Sequence, residues 1–368
     1  MLGAVLQGKG QIELLDLPLP DRLGDSSTLV RMGVVGLCGS DLYRFGIGKG
    51  YGFPLVLGHE ISGVIEETSP SGKFKKGDKV AIFPCLPKPD DPMTRIGEFV
   101  LSEGYDYFGS RRNGGMQEFL EVPERNLVKV PSDMPLHFAA MVEPAAVALH
   151  GVLKLEIPAN STALVIGAGP IGNFAAQWLR FRGVTNVVVS DIDSKKRQVA
   201  EELGFQTLEA EKVNTPDAIL EITDGRGSAI TVEASGSPFT FLQALESTAH
   251  SGQVLLLGDL SGDVNLSKEL VSRVLRREIT IRGTWNSKIY PEFASEWDMV
   301  VRAIGKGIDF NHLISHSFLL QDSQSIFEQL FNREIWFNKA TFAISQQAQE
   351  EVNEILANSK SSKLAKLK

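Results

Sequence analysis

The run Gly167-Ala168-Gly169-Pro170-Ile171-Gly172 lies between an apolar segment, residues 162–166, and an amphipathic one, residues 173–180. Gly-x-Gly-x-x-Gly between a strand and a helix suits a dinucleotide pyrophosphate. Gly167 permits the tight turn, Gly169 lets the backbone approach the phosphates, and Gly172 allows close contact of helix and strand. The helix start, which holds Ile171, offers free N–H groups. A second apolar segment ends at Asp191, nineteen residues past Gly172. A carboxylate there accepts both ribose hydroxyls and repels a 2′-phosphate, so NAD is the expected cofactor. Lys196 and Arg197 follow, and Arg197 is an expected cofactor contact that could tolerate the phosphate of NADP.

Four residues of the first 150, Cys38, His59, Glu60 and Glu143, carry a thiol, an imidazole and two carboxylates. Singly each is weak, because a lone Cys is most often a small buried hydrophobe and a lone His or Glu has many structural uses. Their chemistry depends on the elements that gather them. Residues 1–150 read as short β-type runs punctuated by Gly and Pro, a β-rich domain. Residues 83–115 interrupt it with prolines and paired charges, as an excursion. From 151 to 285 strands alternate with helical stretches, which predicts a doubly wound parallel sheet. Residues 286–345 are expected to return to the first domain and complete it. The polar tail 346–368 reads as a surface helix that frays.

At 368 residues the chain is long for one core, and its net charge of -8 disfavours nucleic acid as a partner. Two cysteines, Cys38 and Cys85, are too few for a disulfide-built fold and fit a reducing cytosol. No signal core and no run of about 18 apolar residues is evident, so a cytoplasmic protein away from membranes is expected.

Segments Gly36–Asp41, Leu57–Ile65 and Val142–Gly151, with the KKGDKVA strand entry, resemble in order the catalytic-zinc segments of the medium-chain alcohol and polyol dehydrogenases. With the glycine motif, the likeness runs to about Ile344. It implies a GroES-like catalytic domain beside the Rossmann domain, with the active site in a cleft between them. It also implies zinc held by Cys38, His59 and Glu143, with Glu60 as an alternating or water-linked ligand. Such a set gives a nearly neutral Zn(II) site with one position open, where a bound alcohol becomes an alkoxide near neutral pH and loses hydride to the nicotinamide. Ser40 is the implied hydroxyl that passes the proton outward. Gly258 and Thr284 are implied near the nicotinamide, and Asn286 and Ser287 facing the substrate.

Relatives also carry four cysteines for a structural zinc. The aligned positions here hold Lys88, Asp91, Thr94 and Ser102, so one catalytic zinc and no structural zinc is expected, with packing or a Lys88–Asp91 salt bridge in its place. Residues 105–115 and 283–297 are similar to the galactitol-1-phosphate 5-dehydrogenase branch of the family. This implies oxidation of a polyol phosphate, galactitol 1-phosphate to tagatose 6-phosphate. Arg44 is the expected phosphate partner, with Lys49 and Lys288 behind it; Arg111 and Arg112 are read as a brace for the excursion. Alternatives are a free-polyol enzyme of the sorbitol or L-iditol type, a pentitol-phosphate dehydrogenase, or a non-catalytic NAD-binding protein. The resemblance implies a homodimer or homotetramer.

Overall fold

The computed structural model describes residues 1–21, 26–48, 50–68, 72–290, 295–345 and 348–354. Contacts divide it into two units, one of residues 1–143, 288–302 and 314–368, the other of residues 144–287 and 303–313. The division falls inside the helix Val142–Leu153, ahead of residue 150 where the sequence pattern changes, because a helix running on from one unit to the next leaves no break in hydrophobic periodicity.

The second unit is a six-stranded parallel sheet in the order Gln206–Glu209, Asn186–Asp191, Thr162–Ile166, Ser228–Glu233, Thr248–Leu256, Thr280–Gly283. This is the doubly wound arrangement expected from the sequence. The strands read as nearly continuous apolar runs because both faces are covered. Leu164, Val188, Ile219, Ala244 and Val254 are fully buried in one cluster. Each large aliphatic side chain buried there contributes roughly 1.5–3 kcal/mol. The order reverses between Thr162–Ile166 and Ser228–Glu233, and the glycine turn leaves the carboxyl end of the former at that switch point.

The first unit is built on a seven-stranded sheet. Its central strand, Ser27–Gly36, is flanked by Glu60–Glu67 and Lys339–Ala343. Antiparallel register sets Gly36 opposite Glu60 on one side and opposite Thr341 on the other. Register therefore gathers the end of the first strand, the start of the second and the start of the last. Two buried clusters line the sheet, one around Val30, Ile61, Val80 and Phe108, the other around Leu6, Val56, Phe327 and Phe342.

The start of the tail differs from the surface helix expected. Residues 348–354 are helical, and Ala348 and Val352 are buried against Leu136, Ala140 and Ala343. Two small apolar residues four apart suffice to seat one helix face, a signal masked by the charged residues between them. The stretch Leu136–Leu153 is long and apolar enough to cross a membrane, but 83% of it is buried inside the protein, which marks core helix.

Candidate metal centre and dinucleotide turn

Cys38 caps the helix Gly39–Ile47, directly after the central strand. Asp41, at the third helical position, reaches back to accept from the Cys38 backbone N–H at 3.2 Å, which fixes how the thiol leaves the strand. His59 and Glu60 enter the neighbouring strand. Gly36 makes room for them, since a Cβ there would lie 2.0 Å from Glu60 Oε2. The donor atoms of Cys38, His59 and Glu60 all lie within 4.8 Å of one another, the one such group of three among the described residues.

Charges around this group are largely buried. Lys339 Nζ donates to Glu60 Oε1 and, at 3.0 Å, to the carbonyl of Leu37. Asp41 Oδ1 lies 3.5 Å from His59 Nδ1 and 3.3 Å from Arg44 Nη1. Burial opposes the charge on Asp41, yet His59, Arg44 and the Cys38 N–H hold its carboxyl below the usual range. Burial likewise opposes the His59 imidazolium, but Asp41 and Cys38 push its pKa well above the ordinary value. Glu143 stands outside the group of three. Its Oε1 accepts from Tyr107 Oη at 3.3 Å, and burial, opposed by His59 and reinforced by Glu60, pushes its carboxyl up to about 7.

A divalent zinc fits these residues. Thiolate, imidazole and carboxylate nearly neutralise it, and Glu60 Oε2 is buried without a hydrogen-bond partner among the described residues. Glu60 lies in the close group with Cys38 and His59, and Glu143 is not part of that group. Asp41, Tyr107 and Lys339 had been given no role from the sequence. A lysine heading a strand whose every residue is buried was the available signal for Lys339.

Arg44 donates from Nη1 to Ser40 Oγ at 3.0 Å as well as to Asp41. Lys288, expected as a phosphate partner, is instead ion-paired with Glu98, which neutralises it. Lys49 lies outside the described residues. Ser287 is fully buried, and the Asn286 Oδ1 accepts from its N–H at 2.8 Å. In the excursion, Asp91 accepts from the N–H groups of Met93 and Glu103. That use as a cap replaces the proposed pairing with Lys88, which is absent among the described residues. Arg111 stacks 4.4 Å from the Tyr51 ring centroid and 4.1 Å from that of Tyr105, and Arg112 pairs with Asp106 at 3.0 Å, so both act as the brace expected.

In the second unit Gly167 adopts φ 106°, which L side chains rarely tolerate, and Gly169 caps the helix Pro170–Phe181 whose first turn holds Ile171. A Cβ on Gly172 would lie 1.8 Å from the Gly167 carbonyl oxygen. Asp191 Oδ2 accepts from the Ala168 N–H at 2.7 Å and so ties the second strand to the glycine turn. Arg197, the expected cofactor contact, is engaged within the protein. It is buried, donates to Glu211 through two nitrogens at 2.7 and 2.8 Å, and donates to the Asp191 carbonyl. Gly258 follows the strand Thr248–Leu256 and donates to the Glu233 carbonyl at 2.9 Å, while Thr284 follows Thr280–Gly283 with its Oγ1 buried.

A family model described as an alcohol dehydrogenase GroES-like domain matches residues 24–132, and one described as a zinc-binding dehydrogenase matches residues 170–304. Galactitol 1-phosphate 5-dehydrogenase of Escherichia coli is 31% identical over 319 residues, 86% of this chain and 92% of that one. Human sorbitol dehydrogenase is 27% identical over 337 residues, 89% of this chain and 92% of that one. The crystal structure of the Escherichia coli galactitol-1-phosphate dehydrogenase superposes with a TM-score of 0.87 at 29% identity, covering 94% of this chain and all of the other. The chain belongs to the zinc-dependent medium-chain alcohol dehydrogenases, oxidoreductases that act on CH–OH groups with a nicotinamide cofactor.

Proposed function

We propose that the chain oxidises a secondary alcohol of a polyol phosphate with NAD, on the pattern of galactitol 1-phosphate going to tagatose 6-phosphate. The observation that carries the substrate class is the 31% identity to galactitol 1-phosphate 5-dehydrogenase across 86% of the chain. Cys38, His59 and Glu60 hold one zinc, with Glu143 as the exchangeable carboxylate beside them. Zinc bound there supplies Lewis acidity that polarises the substrate hydroxyl. Ser40 accepts the proton; the cationic Arg44 bonded to its oxygen favours passing that proton onward. Arg44 is also the cation best placed on that helix to meet a phosphate.

NAD is favoured over NADP by the company of Asp191. The basic residue that would meet a 2′-phosphate, Arg197, is already neutralised by Glu211, with Glu209 3.6 Å away. We further propose a cytoplasmic homodimer or homotetramer that uses the edge strand Thr280–Gly283, where Thr280, Ile281 and Gly283 are exposed.

A free polyol is the second reading. Human sorbitol dehydrogenase aligns over as much of the chain, and the Arg44 guanidinium already bonds Asp41. A paired assay of NAD reduction with galactitol 1-phosphate, galactitol and sorbitol, on protein of known metal content, separates the two. Preference for the phosphate with about one zinc per chain supports the first reading; equal or faster turnover of free polyols replaces it with the second. Absence of both turnover and metal returns the chain to a cofactor-binding role.

A further inference from the structure

Among the described residues Glu143 accepts a side-chain hydrogen bond from Tyr107, and both residues are buried. The Tyr107 ring is itself wedged. Its centroid lies 5.9 Å from the His59 imidazole and 6.0 Å from the ring of Tyr105, which meets it edge-on. Tyr105 packs under the Arg111 guanidinium, which also donates to the Tyr105 carbonyl and, at 3.3 Å, to Tyr51 Oη. A continuous line of ring and cation contacts therefore runs from Tyr51, 68% exposed, to the imidazole beside Cys38 and Glu60. Cation–π and edge-on ring contacts are directional, and together they hold one ring orientation.

A carboxylate bonded through one oxygen has lost its free rotation, and its other oxygen points in a fixed direction. We propose that Tyr107 is a positioning residue for the metal centre: it holds Glu143 by Oε1 so that the carboxylate stands as a fourth, exchangeable donor beside Cys38, His59 and Glu60. The proposal rests on the metal-centre reading above. It assigns to the excursion 83–115 a direct influence on metal geometry, exerted through Tyr107 and the Arg111 stack.

The test uses the full chain as wild type, Tyr107→Phe, Glu143→Gln and the double variant. Phenylalanine keeps the ring contacts and removes only the hydroxyl, and the melting temperatures of the chelator-treated proteins verify that the fold survives. Zinc affinity is measured by competition with a chromogenic chelator, and ligand geometry by the visible absorption of the cobalt(II)-substituted proteins. Tyr107→Phe is expected to weaken zinc binding by roughly tenfold to a hundredfold and to shift the cobalt bands. Added to Glu143→Gln it should weaken binding no further, since the hydroxyl acts through Glu143. Wild-type affinity and an unchanged cobalt spectrum in Tyr107→Phe, or losses that add in full in the double variant, overturn the proposal and leave the metal centre standing. A wild type that takes up neither metal overturns the centre itself, and the proposal with it.

Discussion

Lys339 Nζ is ion-paired with Glu60 Oε1 where both side chains are nearly inaccessible, at 4% and 2% exposure. Burial works against the lysine charge, but Glu60, Cys38 and Glu143 raise its pKa above the ordinary value. Lys339 is therefore the standing counter-charge of a buried anionic cluster. Removing one partner of such a pair leaves a charge without compensation and costs roughly 3–5 kcal/mol. Lys339→Met is expected to lower stability by about that much in chelator-treated protein and by clearly less in zinc-loaded protein, where the metal replaces the missing charge. Urea denaturation with and without chelator checks this, and equal losses in the two states would disconnect Lys339 from the metal centre.

Gly36 and Glu60 face each other across two strands, and the glycine has no structural substitute. Alanine at 36 would set a methyl 2.0 Å from Glu60 Oε2 and 3.0 Å from its Cβ. Overpacking of this kind costs about 1–3 kcal/mol, and here the carboxylate is the movable part. Gly36→Ala should weaken zinc retention by about tenfold or more while the protein remains folded. Equilibrium dialysis against a graded chelator, with circular dichroism alongside, reads both quantities.

Cofactor choice can be tested at Asp191, whose Oδ2 holds the Ala168 N–H and whose Oδ1 accepts from Asp193 N–H at 2.8 Å. Asp191→Asn keeps an oxygen for the turn and removes the charge proposed to repel a 2′-phosphate. The ratio of NADPH to NADH dissociation constants is expected to fall by about tenfold, equivalent to about 1.4 kcal/mol. Fluorescence titration measures it. An unchanged ratio would assign the discrimination to Glu209 and Glu211 instead.

Much of this was legible in the sequence for identifiable reasons. The parallel sheet announces itself through local signals, since each strand is a run of apolar residues and the glycine turn has a fixed spacing. Cys38 and His59 sit beside glycines in short segments that keep a recognisable order. What escaped was set by register between distant strands. The close approach of Glu60 to Cys38 follows from Gly36 pairing with Glu60, a long-range fact that no local pattern encodes. Lys339 reaches Glu60 only because the last strand returns to the first. Arg197 and Lys288 looked available because a sequence shows charges but not their partners; Glu211 and Glu98 neutralise them in the fold.

His137 offers a stability test away from the metal. It is 1% exposed, packs 4.5 Å from the Phe138 ring centroid, and neither ring nitrogen has a hydrogen-bond partner among the described residues. Burial pushes its pKa down to about 4. The unfolded chain has the ordinary value near 6.5, so between the two values the unfolded state binds the proton and the folded state does not. Stability from keeping this ring neutral is thus fully present above pH 6.5 and is lost as pH falls toward 4. A difference of about 2.5 units corresponds to about 3 kcal/mol. Wild-type protein should lose stability steeply over that window, whereas His137→Leu, which has nothing there to protonate, should follow a shallower curve. Urea denaturation of both proteins at pH 7.5, 6 and 5 gives the comparison, and parallel curves would show that His137 finds a proton-accepting partner the fold supplies in solution.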